Sequence, residues 1–226
     1  MKWAVRIIAI STIIITIIAV ILFTALLVGP PKPTFKLTGW EVTTNAVVSI
    51  EFTYTTDKSV EVVLINPKGE ETDVVYLSKE ATRGKISMTP FGVTPIPGTY
   101  RMIVTYLGSK VAEYNLTFVG AKISIGEISF VWKYYEWLKE YNLENLSIEI
   151  VNDGDLPAYV GRVSVRIDEE EINGFVMDWI NPGRALISEE FIFWLTKPAG
   201  TYTVMIQVED GRGNILAEKM TSITVP

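Results

Sequence analysis

Residues 97–100 read Pro-Gly-Thr-Tyr, and residues 198–202 read Pro-Ala-Gly-Thr-Tyr. Each copy opens an alternating strand, which is followed by a short turn and another strand. A proline-glycine turn before a tyrosine-bearing strand suits the penultimate strand of a β-sandwich, where the ring packs inward and the hydroxyl meets a backbone partner. The repeat therefore predicts a duplicated module, with Tyr100 and Tyr202 as its corner residues.

The sequence around the two copies has the period-two pattern of β-strands. Residues 47–55 alternate between apolar and polar side chains, residues 60–65 are rich in valine, and Asn-Pro-Lys-Gly at 66–69 forms a turn signal. We predict strands near 35–44, 46–56, 59–65, 72–78, 84–89, 99–107, 110–119, 122–131, 145–152, 158–168, 172–179, 185–195, 201–209 and 214–225.

About seven short strands in each half is the number found in an immunoglobulin-like sandwich. The predicted fold class is therefore all-β, with two tandem immunoglobulin-like β-sandwiches behind one N-terminal transmembrane helix. The first module covers 34–120 and the second covers 121–226. Because the border near Gly120 leaves almost no linker, we expect a stiff rod.

The N-terminal segment differs from the rest in having a continuous apolar run. Residues 7–28 carry no charge, and a helix of that length spans roughly 33 Å, enough for a bilayer core of about 30 Å. The alternatives are a cleaved signal peptide, whose apolar core is usually shorter, and a processed pilin-type helix. We predict that 1–33 forms a short cytoplasmic N-terminus, an uncleaved anchor and a proline-rich linker, with both modules outside the cell.

Composition excludes several function classes. The 226 residues include no cysteine and no histidine, so disulfides, thiol nucleophiles, Cys/His zinc sites and histidine acid-base catalysis are all absent. The net charge of −6, without a basic stripe, argues against nucleic acid. No phosphate-binding loop or distinctive carboxylate pair appears either. We expect no enzyme activity, no cofactor and no catalytic or metal-binding residues.

The second module resembles the CARDB-type, immunoglobulin-like adhesion modules of archaea and bacteria. The likeness is carried by residues 146–158 (LSIEIVNDGDLPA), where a strand ends in Asn-x-Gly, by Val163-Ser164-Val165, by Pro182-Gly183 and by 198–204. The acidic run at 168–171 replaces the Asp-Gly hairpin that such modules often have. The resemblance implies an extracellular module used for cell-surface binding or as a spacer in envelope proteins.

Two sequons, Asn115-Leu116-Thr117 and Asn145-Leu146-Ser147, are candidate N-glycosylation sites. Strand alternation places Leu116 and Leu146 inward, so we expect both asparagines to face solvent. Both positions agree with an exported domain.

Residues 130–141 hold six aromatic side chains in twelve positions. One hypothesis is an exposed platform for a sugar, an envelope protein or the lipid interface. Its candidate residues are Trp132, Tyr134, Tyr135, Trp137 and Tyr141. The other hypothesis, which the sequence favours, is a short helix or long strand whose rings fill the seam between the modules.

Two acidic segments are candidates for Ca²⁺, which takes six to eight oxygen ligands. Asn152-Asp153-Gly154-Asp155 resembles half a calcium loop but lacks the downstream glutamate, and its residue types suit a turn. The run at 168–171 is predicted to be a solvated hairpin tip.

The leading functional hypothesis is a non-enzymatic, membrane-anchored extracytoplasmic protein for adhesion, spacing or envelope scaffolding. Its partners would be the lipid bilayer through 7–28, other envelope or membrane proteins, or further copies joined by edge strands. The alternative is an accessory subunit of a larger membrane complex, such as a motor, secretion or glycan-transfer assembly. A carbohydrate-binding module is the third possibility, and it depends on the aromatic segment.

Overall fold

The computed structural model describes residues 16–20, 23, 31–188, 191–192 and 194–226. Within that part of the chain the structure is almost entirely β. The first seven strands are β1 (Phe35–Thr44), β2 (Val48–Thr56), β3 (Val60–Ile65), β4 (Glu71–Leu77), β5 (Arg83–Ser87), β6 (Gly98–Tyr106) and β7 (Ser109–Phe118). The others are β8 (Ile123–Tyr135), β9 (Glu140–Asn152), β10 (Ala158–Ile167), β11 (Glu170–Ile180), β12 (Arg184–Ser188), β13 (Phe191–Ile192), β14 (Thr196–Lys197), β15 (Gly200–Glu209) and β16 (Ile215–Val225).

The predicted anchor at 7–28 lies mostly outside the described residues. Those of its residues that are described, 16–20 and 23, are helical and have exposed side chains. Among the described residues, no helix has the length and apolar character needed to cross a bilayer.

The first seven strands form two facing sheets. One has the order β1-β2-β5, and the other has the order β4-β3-β6-β7. Alternation directs every second side chain of β2 inward, so that Ile50, Phe52 and Tyr54 are buried while the residues between them are partly exposed. The inward faces of the two sheets enclose a core that includes Val62, Leu64, Tyr100, Met102 and Leu116.

The remaining strands repeat the same arrangement. β8, β9 and β12 pair as β1, β2 and β5 do, while β11-β10-β15-β16 follow the order of β4-β3-β6-β7. The short strands β13 and β14 are additions at β11 and β9. A second core lies between these sheets and includes Ile148, Ile150, Val163, Val165 and Ile206. The equal strand order supports the duplication that the two tyrosine-bearing turns predict.

The all-β sandwich prediction is confirmed, and most strand bounds agree within three residues. The largest differences are in β8 and β9. β8 continues to Tyr135, beyond the predicted range of 122–131, and β9 begins at Glu140, before the predicted range of 145–152. The predicted strand at 185–195 is divided into β12 and β13. The strand β14 was not predicted, because its two residues are too few to show any periodicity.

The strand directions define two ends for each sandwich. The linker is held at one end of the first sandwich, where Lys58 Nζ donates to the Pro31 carbonyl (2.9 Å) and the Thr34 amide donates to Asp57 (2.7 Å). β1 then runs toward the second sandwich, which Thr44 Oγ1 reaches through a 2.6 Å hydrogen bond to Asn181 Oδ1. β8 starts at this joint and ends about 40 Å further along, at roughly 3.3 Å per residue.

Candidate functional site: an aromatic tip and a clasped joint

The hairpin of β8 and β9 carries aromatic side chains to the end of the second sandwich that lies opposite the joint. At one end of the ladder Ile123 pairs with Asn152, and at the other Tyr135 pairs with Glu140. β14 adds Lys197 beside Tyr141 at the same end. We call five residues there the aromatic tip. They are Tyr134, Tyr135, Trp137, Tyr141 and Trp194.

The rings of the aromatic tip contact one another, and those of Tyr134, Trp137 and Trp194 are exposed while those of Tyr135 and Tyr141 are half-buried. Tyr135 lies 6.3 Å from Trp137 and 6.5 Å from Trp194 between ring centroids, and Tyr134 lies 5.1 Å from Tyr141. Trp137 is 71% exposed and Trp194 is 67% exposed. Large apolar groups left this open are informative, because most tryptophan side chains are largely buried. Trp194 was missed by the sequence analysis, since only the β9–β14 pairing brings it to the hairpin.

A charged pair lies beside these rings. Lys133 Nζ is 3.1 Å from a Glu144 carboxylate oxygen and 5.6 Å from the centroid of the Tyr135 ring. The Tyr135 hydroxyl also points to Glu144, at 3.4 Å. The hydrogen bond and charge of Glu144 raise the pKa of Lys133. The tip therefore combines open aromatic faces with a donor and an acceptor.

The platform prediction included Trp132, whose ring does not lie at the aromatic tip. Trp132 is partly buried and packs, with Phe130, against the core of the second sandwich. The two rings stack with centroids 6.5 Å apart. The prediction that the aromatic segment fills the seam is wrong. Residues 123–135 form one long strand that leads away from the joint, so most of the aromatic side chains lie at the far end of the second sandwich.

Other residues fill the seam. Leu156 of the second sandwich is fully buried in the core of the first, and Trp179 packs against the same core. Tyr159 contacts Phe91 and Trp179 with ring centroids at 5.7 and 5.1 Å. Its backbone amide donates to Thr94 Oγ1 at 3.0 Å. The modules are therefore joined by an apolar contact rather than by a free linker.

The loop at 152–155, which we call the clasp, links the modules through hydrogen bonds. The Asn152 side chain is fully buried and donates to the carbonyls of Leu156 (2.8 Å) and Ile180 (2.9 Å). Its oxygen accepts from the amides of Lys122 (3.1 Å) and Gly154 (3.0 Å). The Asp155 carboxylate accepts from two more amides, those of Val119 (2.8 Å) and Gly120 (2.7 Å).

In the clasp, the side-chain oxygens of Asn152 and Asp155 accept hydrogen bonds from backbone amides. Within the described residues, no group of three or more acidic side chains is placed to hold a metal ion. The acidic run at 168–171 forms the β10–β11 hairpin end, with all four side chains exposed, Asp168 at φ 54° and Glu171 paired with Arg166 at 3.1 Å.

An open groove of about 680 Å³ lies beside the joint. The exposed Phe91 of the first module and Phe175 and Met177 of the second line it. Arg162 and Glu209 lie at the same groove and form a two-pronged ion pair at 2.8 and 2.7 Å. Their charges are mutually satisfied, so the groove is mainly apolar.

The other predicted positions are distributed along both modules. Asn115 on β7 and Asn145 on β9 have exposed side chains, while Leu116 and Leu146 are buried. Tyr100 and Tyr202 occupy the same place in their sandwiches. The hydroxyl of Tyr100 donates to the Ile96 carbonyl (3.2 Å) and that of Tyr202 to the Pro198 carbonyl (2.9 Å). Burial raises the pKa of Tyr100 to about 12.

Comparison with known proteins gives structural likenesses only. No protein-family model matches the chain, and no curated protein matches it. A two-domain fibronectin type III segment of chicken tenascin is 13% identical, with 84% of this chain and 99% of that chain covered and a TM-score of 0.33. A tetra-tandem repeat from the extending region of a large adhesion protein is 16% identical, with 85% and 50% covered and a TM-score of 0.30.

The YadV chaperone is 10% identical, with 84% of this chain and 99% of that chain covered and a TM-score of 0.26. At such TM-scores none of these proteins indicates what the present chain binds or does. The CARDB-type resemblance likewise stays a prediction.

Proposed function

We propose that the chain is a non-enzymatic, membrane-anchored extracytoplasmic protein that holds an adhesive tip away from the cell membrane. The observation that carries the proposal is the location of the aromatic tip, at the opposite end of the molecule from the linker. The apolar run at 7–28 supplies the anchor in this proposal, with the N-terminus in the cytoplasm.

The joint supports the spacer part of the proposal. Burial of Leu156 in the first core and the two amides bound by Asp155 restrict rotation between the modules. Two sandwiches of about 35–45 Å each, held end to end, would place the tip roughly 70–90 Å from the anchor. A flexible connection would instead let the tip fold back toward the membrane.

Detergent extraction of the full chain from its native membranes tests this function. The extract is analysed by size, by intact mass and by identification of whatever co-purifies. Recovery alone, as self-assemblies or with surface proteins supports the adhesive spacer, and the intact mass reports anchor cleavage and glycosylation at Asn115 and Asn145. A stoichiometric complex with other membrane subunits would overturn it in favour of an accessory subunit.

The tip itself is tested by the double variant Trp137→Ala, Trp194→Ala in the same cells. Its control is Tyr76→Ala, which removes an 80% exposed ring from the first module. We expect the tip variant to lose cell–cell or cell–matrix attachment while reaching the envelope at the normal level. Attachment unchanged in the tip variant would contradict the adhesive role.

A further inference from the structure

We infer that the aromatic tip binds a neutral hexose oligosaccharide, an inference that rests on the proposed function because it names the ligand of the same tip. A pyranose with equatorial hydroxyls has C–H groups on its faces and hydroxyls around its rim. It therefore needs an open ring face and, at the edge of that face, hydrogen-bonding groups.

The tip provides both parts. The rings of Trp137 and Trp194 each contact Tyr135 and are mostly exposed, so that they offer open surface for stacking. Glu144 lies at the hydroxyl edge of the Tyr135 ring and Lys133 Nζ lies over the ring, 5.6 Å from its centroid, so that the two supply an acceptor and a donor for sugar hydroxyls. This pairing of apolar faces with a polar rim matches the two surfaces of a hexose.

The area of the tip favours a sugar over a protein partner. Two indoles exposed by about 70% offer roughly 300 Å² between them, since one such side chain buries up to about 250 Å². A stable protein interface buries about 800 Å² on each side, of which somewhat more than half, or about 450 Å², is apolar. Charged residues at 136, 139 and 140 follow the rings directly and limit any extension of the apolar surface.

The charges at the tip favour a neutral sugar over an anionic lipid or an acidic glycan. The residues from 133 to 144 include Glu136, Glu140 and Glu144 against Lys133 and Lys139, and Lys197 beside Tyr141 is paired with Glu170 at 3.1 Å. These charges sum to −1, so the tip has no net positive charge to attract an anionic group. The charge of Lys133 is in addition balanced by Glu144 at 3.1 Å, whereas an ammonium has three donors and can still donate to a neutral hydroxyl.

Binding of hexasaccharides to the purified full chain tests the inference. The probes are the β-1,4-linked hexamers of glucose, N-acetylglucosamine and mannose, and the β-1,3-linked hexamer of glucose, followed by tryptophan fluorescence and calorimetry. The detergent must not be a maltoside or glucoside, because its head group would compete. We expect at least one probe to bind, and Trp137→Ala and Trp194→Ala each to weaken binding tenfold or more.

Tyr76→Ala is the matched control, since it removes an exposed ring from the other module, and it should bind as the unmodified chain does. Binding of no probe would overturn the inference, as would binding that both tryptophan variants retain. Loss of attachment in the double variant without binding of any probe would leave the adhesive function standing with a protein as the ligand. Normal attachment in that variant would instead contradict the proposed function itself.

Discussion

Asn152 is the side chain with the most hydrogen bonds in the clasp, and each of its four bonds ends on the backbone. Replacement by alanine leaves two carbonyls and two amides without that partner in a buried place. We expect Asn152→Ala to lower the free energy of unfolding by about 2–4 kcal/mol, because an unsatisfied buried polar group costs about 1–3 kcal/mol. Denaturant unfolding of the full chain in micelles measures the change.

The matched control is Asn115→Ala, made in a host that does not glycosylate, because Asn115 is exposed on β7. A surface change of this kind normally shifts stability by less than about 0.5 kcal/mol. Equal stabilities for the two variants would show that the clasp does not depend on Asn152.

Tyr100 makes a corner hydrogen bond, and its ionisation changes the stability of the fold at alkaline pH. Its pKa is raised from 10.0 to about 12 by burial, so the folded chain keeps the proton that an unfolded chain loses above pH 10. The resulting stability is complete below pH 10 and is lost as the pH rises to about 12. The loss is on the order of 2 kcal/mol, since one pKa unit corresponds to about 1.4 kcal/mol.

The measurement is the free energy of unfolding at pH 9 and at pH 11.5 for the unmodified chain and for Tyr100→Phe. The variant should lose less stability across this interval, although it starts lower by about 1 kcal/mol for the missing hydrogen bond. Tyr202→Phe removes the equivalent bond and leaves Tyr100 in place, so its alkaline loss should persist. Parallel losses in all three chains would contradict the assignment to Tyr100.

At the scale of elements, one half of the β8–β9 hairpin packs against the second core and the other half is exposed to solvent. Trp132 packs against the second core, whereas Trp137 is largely solvated. We expect Trp132→Ala to lower the melting temperature and to cost about 2–4 kcal/mol. Trp137→Ala should change the free energy of unfolding by less than about 0.5 kcal/mol. A large loss on Trp137→Ala would show that the tip is part of the core.

The clasp gives a second prediction for an element, because its two acidic residues have different roles. Asp155 accepts two amides of the 119–120 segment, while the neighbouring Asp153 is exposed and faces solvent. Asp155→Ala should widen the distribution of distances between the modules, and Asp153→Ala should not. Spin labels on introduced cysteines at Thr55 and Met220, measured by pulsed electron resonance, report this distribution. Equal widths in both variants would contradict the clasp.

Gly154 allows the clasp to lie close to the end of the first module. A Cβ at this position would meet the Gly120 carbonyl oxygen, and it would lie 2.7 Å from the Lys122 amide nitrogen. Both neighbours are backbone atoms, which have no flexible side chain to move aside. The turn composition of Asn-Asp-Gly-Asp was readable from the sequence, but the contact that requires the glycine belongs to a different segment of the chain.

Features that depend on local residue patterns can be predicted from the sequence, whereas contacts between distant segments cannot. Strand bounds and corner tyrosines belong to the first group, because they depend on local alternation and on turn residues. The seam depends on Leu156, Trp179 and Tyr159, whose patterns are those of ordinary strand and turn residues. The tip was identified as aromatic but placed at the wrong end, because β8 and β9 are longer than their alternation suggests and only the register shows their direction.

At the scale of the whole molecule, the proposed orientation places the linker near the membrane and the tip outside the cell. The chain has no cysteine, so one introduced cysteine is its sole thiol. We expect Glu136→Cys, at the exposed tip, to react with a membrane-impermeant maleimide in intact cells. Lys2→Cys, before the apolar run, should react only after permeabilisation, because the bilayer separates it from the reagent. Labelling at position 2 alone in intact cells would reverse the orientation, and release of the labelled tip into the medium would show that the anchor is cleaved.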